Sequence, residues 1–157
     1  MSRSKSELVA LLRRVGVADP ESWADSEVRE DIPQLARAIL LRRLWPEEID
    51  GFATDLSWID AAIAEHEKDG DAPFADAGAA LSAVLAAGVA KEDLGKIARS
   101  VAFSAVAGTL YRIDERADYD FEDGPGWALI ELDHLTQRPT GRFVGGLHES
   151  ILEVRPT

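Results

Sequence analysis

The stretch from Lys91 to Ile113 is the sequence feature that most constrains the fold. It continues for about six turns at helical spacing without an interior proline. Advancing about 100° per residue places one apolar row on one side and a second row nearly opposite. A helix apolar on two opposed faces lies between neighbours, so we predict a central buried helix. The first row is Leu94, Ile97, Val101, Ala105 and Gly108, and the second is Phe103, Val106, Leu110 and Ile113.

Shorter amphipathic patterns before this stretch predict the helices that pack around it. Ser4 and Glu7 have the spacing of a capping box, and Gly16 is placed to end the helix that they begin. Asp19 followed by Pro20 marks the start of a brief helical turn. Together these patterns predict helices within residues 4–16, 19–23, 32–45, 55–68 and 74–88.

The third of these patterns is apolar on more than one side. Leu41 and Trp45 fall outside its main apolar stripe. Apolar surface left over after a core has formed is typical of a subunit interface. A structural homodimer that uses the Leu41 and Trp45 face is therefore one alternative. The main stripe consists of Ile32, Leu35, Ala36, Ile39 and Leu40.

The pattern changes near the C-terminus. Residues 127–133 alternate between apolar and polar faces, which predicts a strand. Residues 142–144 are the expected partner strand across a turn-rich loop, and a last short helix is expected after Gly146. The predicted fold is mainly α: five or six helices form a bundle around the central buried helix, with at most a small C-terminal β ribbon.

The 157 residues fit a single helical domain, 1–157. No uninterrupted apolar run is long enough to span a membrane. The sequence contains no cysteine, which excludes disulfides and thiolate chemistry and agrees with a cytoplasmic location.

The charge balance favours a basic partner. Lys and Arg number 17 against 29 Asp and Glu, giving a net charge of −12 that repels nucleic acid and anionic membranes. The acidic residues are densest just after the long predicted helix, where Trp127 follows them and aromatic side chains contribute strongly to interfaces. The predicted partner-binding residues are Asp114, Glu115, Asp118, Asp120, Glu122, Asp123 and Trp127.

Two alternatives apply to this segment. Trp127 can instead close the core over the helix ends, which is the more frequent role of a tryptophan. Asp118, Asp120 and Glu122 have the alternating spacing of calcium ligands, but the sixth position of the loop is Asp123 instead of glycine. We therefore assign no metal to the segment.

The histidines offer a different function. Asp133 beside His134, and Glu149 beside His148, could bind a metal or relay a proton in a small hydrolase. The sequence contains no compact zinc motif, no nucleophile elbow and no phosphate-binding loop. No catalytic residue and no cofactor is therefore assigned, and the prediction leans away from an enzyme.

The C-terminal third also carries a resemblance. YRID, an acidic spacer, PGWALIELD and TGRFVGGLHE resemble small bacterial proteins of uncharacterised function, which implies no activity. Small acidic bacterial proteins include immunity proteins that neutralise toxins. The leading prediction is a non-enzymatic, acidic, cytoplasmic binding protein that engages a basic protein, and an immunity-like role is one form of it.

Overall fold

The computed structural model describes residues 3–117 and 124–156. The chain divides into two compact units, Met1–Trp45 with Ala105–Thr157, and Pro46–Ser104. The prediction of a single domain stays a prediction. Within the described residues, no helix has the length and apolar character needed to cross a membrane.

The prediction of a mainly α fold with a small C-terminal ribbon is confirmed. A π-helical turn, Trp45–Ile49, follows α3, and a 3₁₀ turn, Ile151–Val154, follows α8. The α-helices are α1 Lys5–Val15, α2 Pro20–Glu30, α3 Gln34–Leu44, α4 Gly51–Thr54, α5 Ser57–Lys68, α6 Asp76–Ala86, α7 Lys91–Glu115 and α8 Leu147–Ser150. The strands are β1 Ile130–Leu132 and β2 Pro139–Phe143.

Local signals determine where the first two helices begin. The Ser4 backbone N–H donates to Glu7 Oε2 over 2.8 Å, and the Glu7 N–H donates to Ser4 Oγ, which completes the predicted capping box. Asp19 Oδ1 accepts from the Ser22 N–H at the start of α2. This helix continues to Glu30, so the prediction of only a brief turn was wrong: burial of Trp23 supplies tertiary packing that the weak local pattern does not reveal.

The core of the first unit lies where α1 and α3 meet the C-terminal helices. Leu41 and Trp45 are buried there, and the Trp45 indole donates to the Ile151 carbonyl oxygen over 3.0 Å. Ile39, from the predicted main stripe, is exposed instead. The predicted main stripe is therefore buried only in part, since Leu35 is buried and Ile39 is not. The Leu41 and Trp45 face packs inside this unit and is not free to form a homodimer. The largest fully buried side chains of this core are Leu12, Leu41, Leu147, Ile151 and Val154.

The long helix forms as predicted, but it is not buried on two faces. Ile97 and Val101 are 61% and 62% exposed, and no atom would contact a Cβ added at Gly108 within 4 Å. On the second row, Leu110 is buried. The prediction of a central buried helix was therefore wrong. Apolar periodicity in an alanine-rich helix does not show how many of its faces have neighbours.

The second unit consists of closely packed helices. Gly78 of α6 lies against Ala62 and His66 of α5. The first turns of α7 approach α4, where Gly95 leaves room for the Phe52 carbonyl oxygen. Phe74, the first residue of the predicted helix 74–88, lies just before α6 instead; it is exposed and has a positive φ of 67°.

The two strands form an antiparallel ribbon in the first unit. Ile130 pairs with Phe143 and Leu132 with Pro139, so β2 has extra residues between the two pairs. These extra residues form a β-bulge, in which Gly141 adopts a left-handed φ of 88°. β1 is shorter than the predicted strand over residues 127–133.

Candidate functional site

Asp114 at the end of α7 organises a polar cluster of the first unit. Its Oδ2 accepts hydrogen bonds from the backbone N–H groups of Leu147, at 2.8 Å, and His148, at 3.1 Å. Gly146, which precedes α8, has no side chain to cap that helix. The carboxylate of Asp114 therefore supplies from a distant segment the cap that α8 lacks locally.

The same carboxylate oxygen binds the His148 imidazole. His148 Nδ1 lies 2.8 Å from Asp114 Oδ2, and the ring meets Tyr111 edge to face with centroids 5.1 Å apart. When the Asp114 carboxylate is ionised it can only accept, so Nδ1 is then the donor of this hydrogen bond. A neutral His148 then has its lone pair on Nε2, which lies 4.0 Å from Glu149 Oε1. This arrangement orients an imidazole for proton transfer.

Arg37 lies against the same C-terminal segment. Its Nη1 donates to Ser150 Oγ over 3.2 Å, and its guanidinium carbon lies 5.7 Å from the centre of the Trp23 ring. A Cβ at Gly146 would lie 3.2 Å from Arg37 Nη1, so the glycine permits this approach. Burial lowers the pKa of Arg37, while the negative charges of Asp114 and two glutamates oppose that shift.

Two buried polar atoms of this cluster have no hydrogen-bond partner within the described residues: Asp114 Oδ1 and Arg37 Nε. A buried carboxylate oxygen without a donor costs free energy.

The structure does not bring together the histidines that the sequence suggested as a site. Asp133 Oδ1 accepts from the backbone N–H groups of Leu135 and Thr136, which orders the turn between the strands. Hydrogen bonds from Thr136 hold the pKa of Asp133 below its usual value. His134 is exposed, and within residues 3–117 and 124–156 no hydrogen bond joins it to His148. No group of three or more potential metal ligands occurs there either.

The predicted partner-binding residues divide into three groups. Asp118, Asp120, Glu122 and Asp123 lie outside the described residues. Asp114 caps α8, and Glu115 accepts from Arg112 Nη1 over 2.7 Å, so both carboxylates have partners within the chain.

Trp127 forms the third group of predicted partner-binding residues and lies at the surface. Its side chain is 42% exposed, although its indole N–H donates to the Arg112 carbonyl oxygen over 3.0 Å. Its backbone N–H donates to the carbonyl oxygen of Arg116 over 2.8 Å. These two bonds fix the ring on the end of α7 and leave part of it free to contact another molecule.

A second polar network lies under the ribbon. Arg142 donates through Nε and Nη2 to both carboxylate oxygens of Glu131, at 2.8 and 2.6 Å. Its two Nη atoms also lie 3.2 Å from Glu27 Oε1, while Glu27 Oε2 accepts from the Leu35 N–H. The side chains of Glu27 and Arg142 are only 6% and 21% exposed. The alternation in residues 127–133 predicted the strand but not these long-range partners.

Comparison of the chain with protein-family models, curated proteins and solved structures found no match. The resemblance of the C-terminal third to small bacterial proteins therefore stays a prediction.

Proposed function

We propose that this chain is a non-enzymatic, cytoplasmic binding protein that engages a basic protein through residues 114–123 and Trp127. The observation that carries the proposal is Trp127, 42% exposed and fixed by two hydrogen bonds immediately beyond the acidic segment. A rigid aromatic side chain loses little conformational entropy on binding and buries a large area.

The charge of the chain supports the same partner class. A net charge of −12 attracts basic surfaces over a Debye length and raises the rate of encounter. It opposes binding to nucleic acid and to anionic membranes. An immunity protein that neutralises a basic toxin is one member of this class.

Charge reversal of the acidic segment tests the proposal. A variant with Asp118, Asp120, Glu122 and Asp123 changed to lysine should retain at least tenfold less basic protein from a lysate of the source organism. The immobilised wild-type protein is washed at low and at high salt, and the retained proteins are identified and quantified. The proteins lost from the variant should also be those that high salt releases from the wild type.

A matched control separates the segment from the net charge. Glu65, Glu67, Asp69 and Asp71 are four exposed carboxylates on and after α5, and changing all four to lysine alters the net charge by the same amount. This control should bind basic proteins like the wild type. An equal loss in both variants would show that only net charge matters, and no loss in the first would refute the proposal.

The Asp114–His148 pair supports a second candidate function, acid–base hydrolysis. The Nδ1 contact of 2.8 Å orients the ring, and about a third of the side chain is exposed. In this proposal His148 is the general base, and Asp114 is the residue that positions it. Asp133 and His134, which the sequence suggested, take no part because they order the turn of the ribbon.

Substitution of His148 tests that candidate. If the pair hydrolyses small esters or phosphoesters, His148→Gln should lower the rate by about 10²-fold or more, because general-base catalysis contributes that much. The rates are measured with p-nitrophenyl acetate and p-nitrophenyl phosphate. His134→Gln, at an exposed histidine, should leave them unchanged. A wild-type rate equal to that of buffer would exclude hydrolysis of these two substrates by the pair.

A further inference from the structure

The ribbon has its polar face inward and its apolar face outward. Glu131 of β1 and Arg142 of β2 form their ion pair against the buried Glu27. On the opposite face, Ile130, Leu132 and Phe143 are 37%, 51% and 51% exposed, and the Arg116 guanidinium carbon lies 5.3 Å from the centre of the Phe143 ring. Ile130 and Phe143 are direct cross-strand partners, so their side chains share this outward face.

This orientation is the reverse of the usual one. An antiparallel ribbon normally packs its apolar face on the core and leaves its polar face in water. Here the bidentate contact between Arg142 and Glu131, together with Glu27, holds the polar face inward. Turning the apolar face inward would break this network and leave the Glu27 carboxylate unpaired, which is costly. The exposed apolar face is therefore a stable feature of the ribbon, and apolar surface of this kind is a candidate for binding another molecule.

The edges of the ribbon differ. In the described part of the chain the sheet has two strands, so each strand has one edge without a neighbouring strand. The bulge at Gly141 disrupts β2, and bulges oppose the addition of another strand. β1 is therefore the edge that suits an added extended segment.

Two kinds of molecule can cover this face, a second copy of the chain or a segment of a partner protein, and the net charge of the chain favours the partner. A second copy would bring another net charge of −12 to a ribbon that closely follows the acidic segment 114–123. The repulsion between two chains of this net charge opposes self-association. A partner segment that carries basic and apolar residues is attracted by the negative charge of the chain, and its apolar side chains cover the exposed apolar face.

We propose that the apolar face of the ribbon, defined by Ile130, Leu132 and Phe143, docks an extended segment in which apolar and basic residues alternate. This inference rests on the proposed function, because it names the part of the basic partner that is bound. The apolar side chains of the segment pack on the ribbon, since alternate residues of an extended chain face the same way. Its basic side chains balance the acidic charge of the chain.

Two synthetic nine-residue peptides test the proposal, one alternating lysine with valine and the other lysine with serine. They carry the same charge and differ only in apolar content. The wild-type protein should bind the lysine–valine peptide at least tenfold more tightly, measured by fluorescence anisotropy of dye-labelled peptides. Leu132→Ser and Phe143→Ser should each reduce this preference at least threefold, because exposed apolar area is lost.

Val28→Ser is the matched control, because Val28 is an exposed apolar side chain on α2 of the same unit. It should retain the full preference, and circular dichroism shows whether each variant is folded. Equal affinity for the two peptides, no binding of the lysine–valine peptide, or ribbon variants that bind like the wild type would each overturn the inference. A homodimer that Leu132→Ser dissociates would also overturn it, because the face would then bind a second copy.

The outcomes distinguish this inference from the proposed function. If charge reversal at residues 118–123 abolishes capture of basic proteins while the ribbon variants keep the wild-type preference, only the ribbon inference fails. If charge reversal has no effect on capture, the proposed function fails whatever the peptides do.

Discussion

Replacing Arg142 with leucine is expected to lower the free energy of unfolding by about 3–5 kcal/mol. Arg142 is the cation shared by Glu131 and Glu27, and the Glu27 side chain is 6% exposed. Burial alone lowers the pKa of Arg142, but Glu131 and Glu27 outweigh it and raise the pKa. Without the guanidinium, two largely buried carboxylates lose their shared counter-charge. Urea denaturation followed by circular dichroism measures the change.

Arg13→Leu is the control for this prediction. Arg13 Nη2 lies 2.6 Å from Glu21 Oε1, a separation like that between Arg142 and Glu131, but both side chains are more than half exposed. An exposed ion pair contributes at most about 1 kcal/mol. If both substitutions cost the same small amount, the network under the ribbon does not stabilise the fold and does not fix the orientation of the ribbon.

The local signals in the sequence predicted where elements begin. The capping box of Ser4 and Glu7, the Asp19–Pro20 start and the short helix after Gly146 all occur where expected. Each depends on residues within one helical turn of each other, so a short window of sequence contains all the information. The strands were predicted less accurately: β1 covers only Ile130–Leu132 of the predicted residues 127–133, and β2 begins at Pro139, within the predicted loop.

Burial was harder to predict, because it depends on the neighbours that a helix acquires. In α3 the buried residues include Leu41, while Ile39 is exposed, although both are apolar. In α7 the row through Ile97 and Val101 is as apolar as the row through Leu110, but only the latter row contains a buried large side chain. Sequence periodicity identifies apolar faces without showing which of them is covered.

The polar clusters could not be derived from spacing. Asp114 and His148 are 34 residues apart, and Glu27 and Arg142 are 115 apart. One indirect signal was present: a helix that starts after glycine has no side chain at its N-cap, so an acceptor for its first N–H groups has to come from elsewhere. The outward apolar face of the ribbon had no such signal, because an alternating strand pattern does not say which side faces the core.

Replacing Gly78 with alanine is expected to lower the free energy of unfolding by about 3 kcal/mol, at the upper end of the cost of overpacking. A Cβ at this position would lie 2.6 Å from the Cβ of His66 and would overlap the backbone carbonyl of Ala62. Neither group is the end of a flexible side chain, so α6 would have to move away from α5. That movement would weaken the main helix packing of the second unit.

Gly108→Ala is the control that separates steric overlap from helix propensity. Gly108 also lies within a helix, but an added Cβ there would contact nothing within 4 Å. Alanine is about 1 kcal/mol better than glycine in a helix interior, so this variant should be more stable than the wild type. The same chemical change should therefore have opposite signs at the two positions in urea denaturation. If Gly78→Ala is also stabilising, α5 and α6 do not pack as closely as the structure indicates, and helix propensity alone accounts for both results.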